Sequence, residues 1–236
     1  MNDRIRGLVL KIIDYKENDL ILEVISEDKS FLSLIAKGAK KMSSKRHYSP
    51  LCVYEFIIDY KDLKTMYTIH NSKLIESFYE DKNLKLLSYK NIFLELTSKS
   101  KELYETDMYN NLLFSLRELN ENNMYLLGSL YVAYLLKLFG IYPNVDECVI
   151  CKDTKIVGIS NKKGGFVCLR HLDGLEPLNI DTLKKFRIIN KATYDNYECI
   201  RDIEYLYSDF KKEMEFFIEN SDLNIKSYQF FDELFN

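Results

Sequence analysis

No apolar run in this sequence is long enough to span a bilayer. The longest, Leu126 to Phe139, is interrupted by Gly128, Ser129 and Lys137, and a spanning helix needs about 20 apolar residues. The opening residues, Met1-Asn2-Asp3-Arg4-Ile5-Arg6, lack the apolar core of a signal peptide. A soluble, cytoplasmic protein without membrane contact is therefore expected. Cysteine is sparse, at 5 residues, and in that compartment thiols stay reduced or bind metal rather than pair. Net positive charge is also missing. The formal balance is −3, so any contact with nucleic acid has to come from a local basic patch. Tryptophan is absent, with only 8 glycines and 3 prolines. Alongside abundant Lys, Asn, Ile and Tyr, that scarcity reads as AT-rich coding bias and excludes no function.

Catalytic signatures are missing too. There is no phosphate-cradling Gly-rich loop, so nucleotide hydrolysis is not indicated. No Gly-x-Ser-x-Gly elbow occurs, and the carboxylates form no cluster that reads as a two-metal nuclease site. A zinc deaminase needs His-x-Glu and Pro-Cys-x-x-Cys segments, and neither is present. These absences favour a binding protein over an enzyme.

What the sequence does have begins with β pattern. Ile5 to Ile13, Leu20 to Ser26, Ser30 to Ala36, Cys52 to Ile58 and Met66 to Ile69, leading on to Leu74, read as five short strands. Polar turns at residues 14–19, 27–29 and 59–64 separate them. Short strands at this spacing predict a small barrel. An oligonucleotide/oligosaccharide-binding (OB) type fits, although periodicity alone leaves an SH3-like barrel open. From Asn83 the period changes to helical. Helices are predicted over about Leu84 to Leu103, Tyr109 to Asn120, Met124 to Phe139, Asp181 to Thr193 with Asp181 as N-cap, Ile203 to Ile218 and Tyr228 to Phe235. Gly140 is a natural helix stop. The expected fold is α+β, an N-terminal five-stranded OB-type barrel over 1–80 and a helical domain over 81–236. A zinc knuckle is inserted at about 145–175.

That knuckle rests on Cys148, Cys151, Cys168 and His171. The pairs Cys-x2-Cys and Cys-x2-His are separated by sixteen residues, a spacing that suits one structural tetrahedral zinc ion. Ile156 to Ser160 and Phe166-Val167, joined by a turn through Gly164-Gly165, read as a hairpin that returns Cys168 to the first pair. Four good ligands leave no open position, so the ion is expected to be structural rather than catalytic. Cys52 and Cys199 read as packed apolar residues, and His47 and His70 have no metal-spaced partner.

The second candidate site lies between the third and fourth strands. Lys37, Lys40, Lys41, Lys45 and Arg46 fall in eleven residues with no carboxylate, together with Gly38, Ser43 and Ser44. Such a segment can neutralise several phosphates through a sequence-independent, salt-sensitive contact; the blander reading is a solvated charged loop. Tyr15, Phe31, Tyr48, Tyr54 and Tyr60 are nearby aromatics that could stack on bases; with tyrosine abundant throughout the chain, most read as core or surface filler and none is singled out.

Three segments carry a family resemblance: Gly7 to Lys11 with Tyr15 to Asp19; Ala36-Lys37-Gly38-Ala39-Lys40-Lys41 with Ser44-Lys45-Arg46; and Leu135 to Pro143 running into Val145 to Cys151. They resemble the RecO family of bacterial DNA repair proteins, in the family's order and over nearly the whole chain. The resemblance implies an OB domain, a helical domain and, in many members, a zinc-binding insert. It implies binding of single- and double-stranded DNA and annealing of complementary strands without nucleotide hydrolysis. It further implies work with RecR, and in some settings RecF, to load RecA onto DNA covered by single-stranded-DNA-binding protein, whose tail the family contacts. A nucleoid-associated location follows. His171 stands where many zinc-bearing relatives have cysteine, and residues 219–227 match the family only loosely, so no residues are assigned to that tail. Two other readings remain: a protein-interaction adaptor whose basic loop is only surface, and a metal-dependent enzyme acting on nucleic acid.

Overall fold

The computed structural model describes residues 3–28, 30–44, 46–60, 66–79 and 82–235. Five strands, β1 (Asp3–Tyr15), β2 (Asp19–Ser26), β3 (Ser30–Ala36), β4 (Cys52–Ile58) and β5 (Tyr67–Ser77), form a closed barrel in the order β1-β2-β3-β5-β4. All pairings are antiparallel except β3 with β5, which meet in parallel at Leu34↔Tyr67 and Ile35↔Thr68. At 13 residues, β1 is long enough to pair with β4 along its first half and with β2 along its second. A register shift between Val9 and Lys11 bends it from one partner to the other. This is the OB-type arrangement, and the SH3-like alternative falls. The alternation that marked the strands places Ile5, Val9, Leu22, Val24, Leu34, Phe56, Ile58 and Ile69 inside, each at most 2% exposed. Residues 61–65, which include most of the predicted 59–64 turn, lie outside the described residues, as does Lys29 in the 27–29 turn.

The helices are α1 (Leu84–Lys99), α2 (Asp107–Glu118), α3 (Met124–Leu138), α4 (Ile180–Lys191), α5 (Tyr207–Ser221) and α6 (Lys226–Phe235). A hairpin of β6 (Ile156–Ser160) and β7 (Gly165–Cys168) lies between α3 and α4. The chain groups into two compact units, one of residues 1–118 with 226–235 and one of residues 119–225. The barrel's unit thus extends past residue 80, because α1, α2 and the returning α6 cluster with it. Arg117 of α2 makes a two-pronged ion pair with Glu76 of β5, at 3.0 and 2.7 Å. Glu95 of α1 caps the start of α6, accepting from the Lys226 N–H at 3.1 Å and from the Ser227 N–H and Oγ at 2.7 Å. Phe231 packs edge-on against Tyr89 with ring centroids 5.1 Å apart.

In the second unit α3 is buried on nearly every side. Gly140 ends it as expected: its N–H bonds to the Lys137 carbonyl and that of Ile141 to the Leu136 carbonyl, both at 3.0 Å. Helices α2 and α6 begin two residues before the expected Tyr109 and Tyr228, and the starts of α4 and α5 differ in how they are capped. The N-cap of α4 is Asn179, whose Oδ1 accepts from the Thr182 N–H at 2.8 Å. Asp181 sits in the first turn instead, paired with Lys185 at 3.1 Å. Helix α5 begins at Tyr207 rather than Ile203, because the Asp209 carboxylate takes the Leu206 N–H at 2.9 Å and holds Leu206 extended. A 3-10 turn at Tyr194–Cys199, missed in the sequence, precedes it and leaves Cys199 exposed rather than packed.

Candidate metal centre and basic loop

The basic segment leaves β3 at Ala36 and turns at once. Gly38 takes φ +67, a left-handed value that glycine adopts without a steric penalty. Its N–H donates to Asp19 Oδ1 at 2.8 Å, and the Lys40 N–H donates to the Asn18 carbonyl at 3.0 Å. Two further turns follow, Lys41 N–H to Gly38 O at 3.2 Å and Ser44 N–H to Lys41 O at 2.8 Å. Ala39 and Tyr48 are buried in the barrel core. Between these anchors Lys37, Lys40, Lys41 and Arg46 are exposed; Lys45 lies outside the described residues. Lys37 and Lys41 have no ion-pair partner among the described residues. Lys40 pairs with Asp14 at 3.3 Å, and Arg46 Nη2 donates to the His70 carbonyl at 3.1 Å.

The aromatics are largely packed against other rings or in the core. Tyr48 and Tyr54 are buried with ring centroids 5.4 Å apart, and Tyr54 lies 5.5 Å from Phe56. They are core and unavailable to bases. Phe31 meets Tyr104 edge-on at 5.9 Å, and Tyr60 stacks on Tyr67 at 4.9 Å. Tyr15 is half-buried beneath Lys16, whose ammonium stands 5.2 Å from the ring centroid.

The chain after α3 brings Cys148 and Cys151 into a tight turn. The Cys148 N–H bonds to Asp153 O at 2.8 Å, and the Lys152 N–H bonds back to Cys148 O at 2.9 Å. The β6–β7 hairpin supplies Cys168 at its end, and the 3-10 turn Leu169–His171 supplies His171. The hairpin is held by a close backbone approach at Gly165. A Cβ there would stand 2.3 Å from the Asn144 carbonyl oxygen, while Asn144 exchanges bonds with Gly164 O and the Phe166 N–H, both at 2.9 Å. Arg187 of α4 braces the same junction, with Nε donating to Val145 O at 2.6 Å and its guanidinium 5.2 Å from the Phe166 ring centroid.

The four candidate ligands converge. Cys148 Sγ is 3.5 Å from His171 Nδ1, Cys168 Sγ is 3.4 Å from the same nitrogen, and Cys151 Sγ is 3.6 Å from Cys168 Sγ. All four ligand atoms lie within 4.8 Å of one another. A tetrahedral ion about 2.3 Å from sulfur and about 2.0–2.1 Å from nitrogen gives ligand–ligand edges of roughly 3.5–3.8 Å, so the quartet fits one metal ion. Burial opposes ionisation of the Cys148 thiol, but the N–H groups of Cys151, Cys168 and Ile150 and the His171 ring outweigh it and bring the thiol down to about 6. Arg170, which nothing in the spacing marked, directs Nη2 at Cys151 Sγ from 3.6 Å.

The class is that of a closed OB-type barrel with an anchored cationic loop, followed by helices and a Cys3His cluster that could hold a metal ion. Comparison with known proteins gives that class a family. Residues 1–78 match the family model described as Recombination protein O N terminal, and residues 82–201 match Recombination protein O C terminal. The chain is 30% identical over 182 residues to a DNA repair protein RecO of Halalkalibacterium halodurans, covering 73% of this chain and 70% of that protein. It is 28% identical over 183 residues to the protein of the same name from Bacillus cytotoxicus, covering 73% and 72%, and 28% identical over 184 residues to that of Bacillus mycoides, covering the same shares. The chain belongs to the RecO family of DNA repair proteins. Among the described residues no helix is long and apolar enough to cross a membrane.

Proposed function

We propose that the protein is a recombination mediator. In this reading it binds single- and double-stranded DNA, promotes annealing of complementary strands and, with a RecR-type partner, helps load RecA onto DNA covered by single-stranded-DNA-binding protein. RecF enters in some settings. The barrel, residues 1–80, carries the DNA contact through Lys37, Lys40, Lys41, Lys45 and Arg46, and the helical region over 81–236 serves partner proteins. The observation that carries the reading is the anchored loop, which presents exposed cations on a chain of net negative charge. Covering phosphates with cations lowers the repulsion between two strands, which is the physical content of annealing. No step in this scheme hydrolyses a nucleotide, and its place is the cytoplasm, at the nucleoid. Zinc is the ion proposed for the Cys3His cluster, since three thiolates and an imidazole in a closed tetrahedron suit a structural zinc site.

The test replaces all five cations by alanine and measures oligonucleotide affinity across a salt series. Each phosphate contact on single-stranded DNA contributes about 0.7 to the slope of log affinity against log salt. The parent should therefore show a slope steeper by about 3.5. Equal affinity and equal slope in the two proteins would remove the segment from the function. A stable complex with a RecR-type ring but no DNA binding by the parent would favour the adaptor reading.

A further inference from the structure

The anchored loop owes its shape and part of its charge balance to a neighbour, the turn between β1 and β2. Asp14 stands near the end of β1, Glu17 in the turn itself and Asp19 at the start of β2. Two of the three carboxylates touch the basic segment in different ways. Asp19 is half-buried and takes the Gly38 N–H at 2.8 Å. Beside it the Asn18 carbonyl takes the Lys40 N–H at 3.0 Å. Asp14 instead meets a side chain, with its Oδ1 3.3 Å from Lys40 Nζ. Its own side chain is 77% exposed, so the pair sits at the surface, where such pairs hold weakly and are open to exchange.

We propose that this turn sets the affinity of the basic loop: Asp19 is a positioning residue that fixes the left-handed Gly38 corner, and Asp14 is a built-in counter-ion that a DNA phosphate must displace from Lys40. The inference rests on the DNA-binding reading of the loop. A phosphate that replaces Asp14 keeps the ammonium paired but leaves a carboxylate free, so Lys40 delivers less net binding than Lys37 or Lys41. Glu17, exposed on the same turn, provides an internal control because it contributes the same charge with no ion pair or hydrogen bond to the loop among the described residues.

The experiment measures binding of a labelled single-stranded oligonucleotide at four salt concentrations. The proteins are the parent, Asp14→Asn, Glu17→Gln, Lys40→Ala, Asp14→Asn/Lys40→Ala, Asp19→Ala, Asp19→Asn and the five-cation variant. Freeing Lys40 by Asp14→Asn should tighten binding about 1.4- to 5-fold, the range set by exposed ion pairs. It should steepen the salt slope by up to about 0.7. Glu17→Gln should do distinctly less, and Asp14→Asn should lose its effect when Lys40 is already alanine. Asp19→Ala should weaken binding about two- to tenfold, the worth of a hydrogen bond, whereas Asp19→Asn, which keeps an oxygen for the Gly38 N–H, should restore it. If Asp19→Ala fails to fold, the Asp14 arm stands alone as the test. Equal effects of Asp14→Asn and Glu17→Gln, or an Asp14→Asn effect that persists without Lys40, would overturn the inference while the five-cation variant still loses binding. Full binding by the five-cation variant would overturn the reading beneath it as well.

Discussion

Replacing Cys148 by serine should unfold the insert before it touches DNA handling. Cys148 is fully buried, and its backbone closes the turn that also carries Cys151. A serine hydroxyl fits the space but does not ionise to give a metal ligand. If the parent works at free metal about 1,000-fold above its dissociation constant, binding stabilises the fold by about 4.1 kcal/mol, and losing the ligand forfeits most of that. The affected unit, residues 119–225, is of the size at which 1 kcal/mol moves the melting temperature by about 4 °C. The expected fall is therefore about 15 °C. Calorimetry on zinc-loaded parent, chelated parent and Cys148→Ser tests this, with metal content measured on the same samples. The chelated parent and the variant should melt together. Oligonucleotide affinity measured well below the lowered transition should stay within about twofold, half a kcal/mol or less. A drop in DNA affinity with the melting temperature and the fold intact would refute the structural role and place the cluster in the DNA contact itself.

Three other outcomes follow. Glu213 is fully buried and held well above the ordinary glutamate value near 4.5, by desolvation first and the nearby Asp209 charge second, against an opposing bond from Asn190. Its folded form keeps its proton after the unfolded chain has lost one, so this contribution is fully present below pH 4.5 and is lost as pH rises towards the folded value. Glu213→Gln should accordingly be more stable than the parent at pH 7, with the gap closing below pH 4.5 in denaturant titrations. Glu95 runs the other way. Desolvation raises it, but the bonds from Ser227 and Lys226 and the Lys99 charge prevail and hold it below 4.5. Its stabilisation is present at neutral pH and lost as pH falls through the folded value, so Glu95→Gln should cost stability at pH 7 and nothing in strong acid. Deleting residues 226–236 should cost about 3–6 kcal/mol from the burial of Tyr228 and Phe231. Hydrogen exchange should show lost protection in α1 and unchanged protection in α3 and α5.

The strands were readable because their determinants are local. Inward side chains alternate along β2 to β4, and the turns between them are polar, so five strands emerged close to their true limits. Their order was not readable. Closure depends on two residue pairs between β3 and β5 and on one irregularity in β1, and neither leaves a composition signal. The same reason hid the place of α6, whose cap is a glutamate 131 residues earlier in the chain. At the start of α4, Asn179 and Asp181 are both good caps two residues apart, and in the fold Asn179 takes the Thr182 N–H while Asp181 turns to Lys185. The metal quartet was marked by paired spacing, yet the approach of Gly165 to Asn144 that holds the hairpin was not.

The basic loop lies between these cases. Its cations announce themselves in the sequence, since charge without carboxylates is a local property. Whether they form a usable surface is decided elsewhere, by Asp19 about twenty positions upstream and by Tyr48 and Ala39 in the barrel core. The aromatic residues follow the same rule. In a chain with 18 tyrosines, their abundance points to filler, and the closed barrel buries Tyr48 and Tyr54. If the loop binds phosphate as proposed, anchors at Gly38 and Tyr48 keep the ordering entropy lost on binding small, and its strength rests on how many ammonium groups are free. Lys40, engaged with Asp14, is a cation whose freedom a single neutral substitution changes.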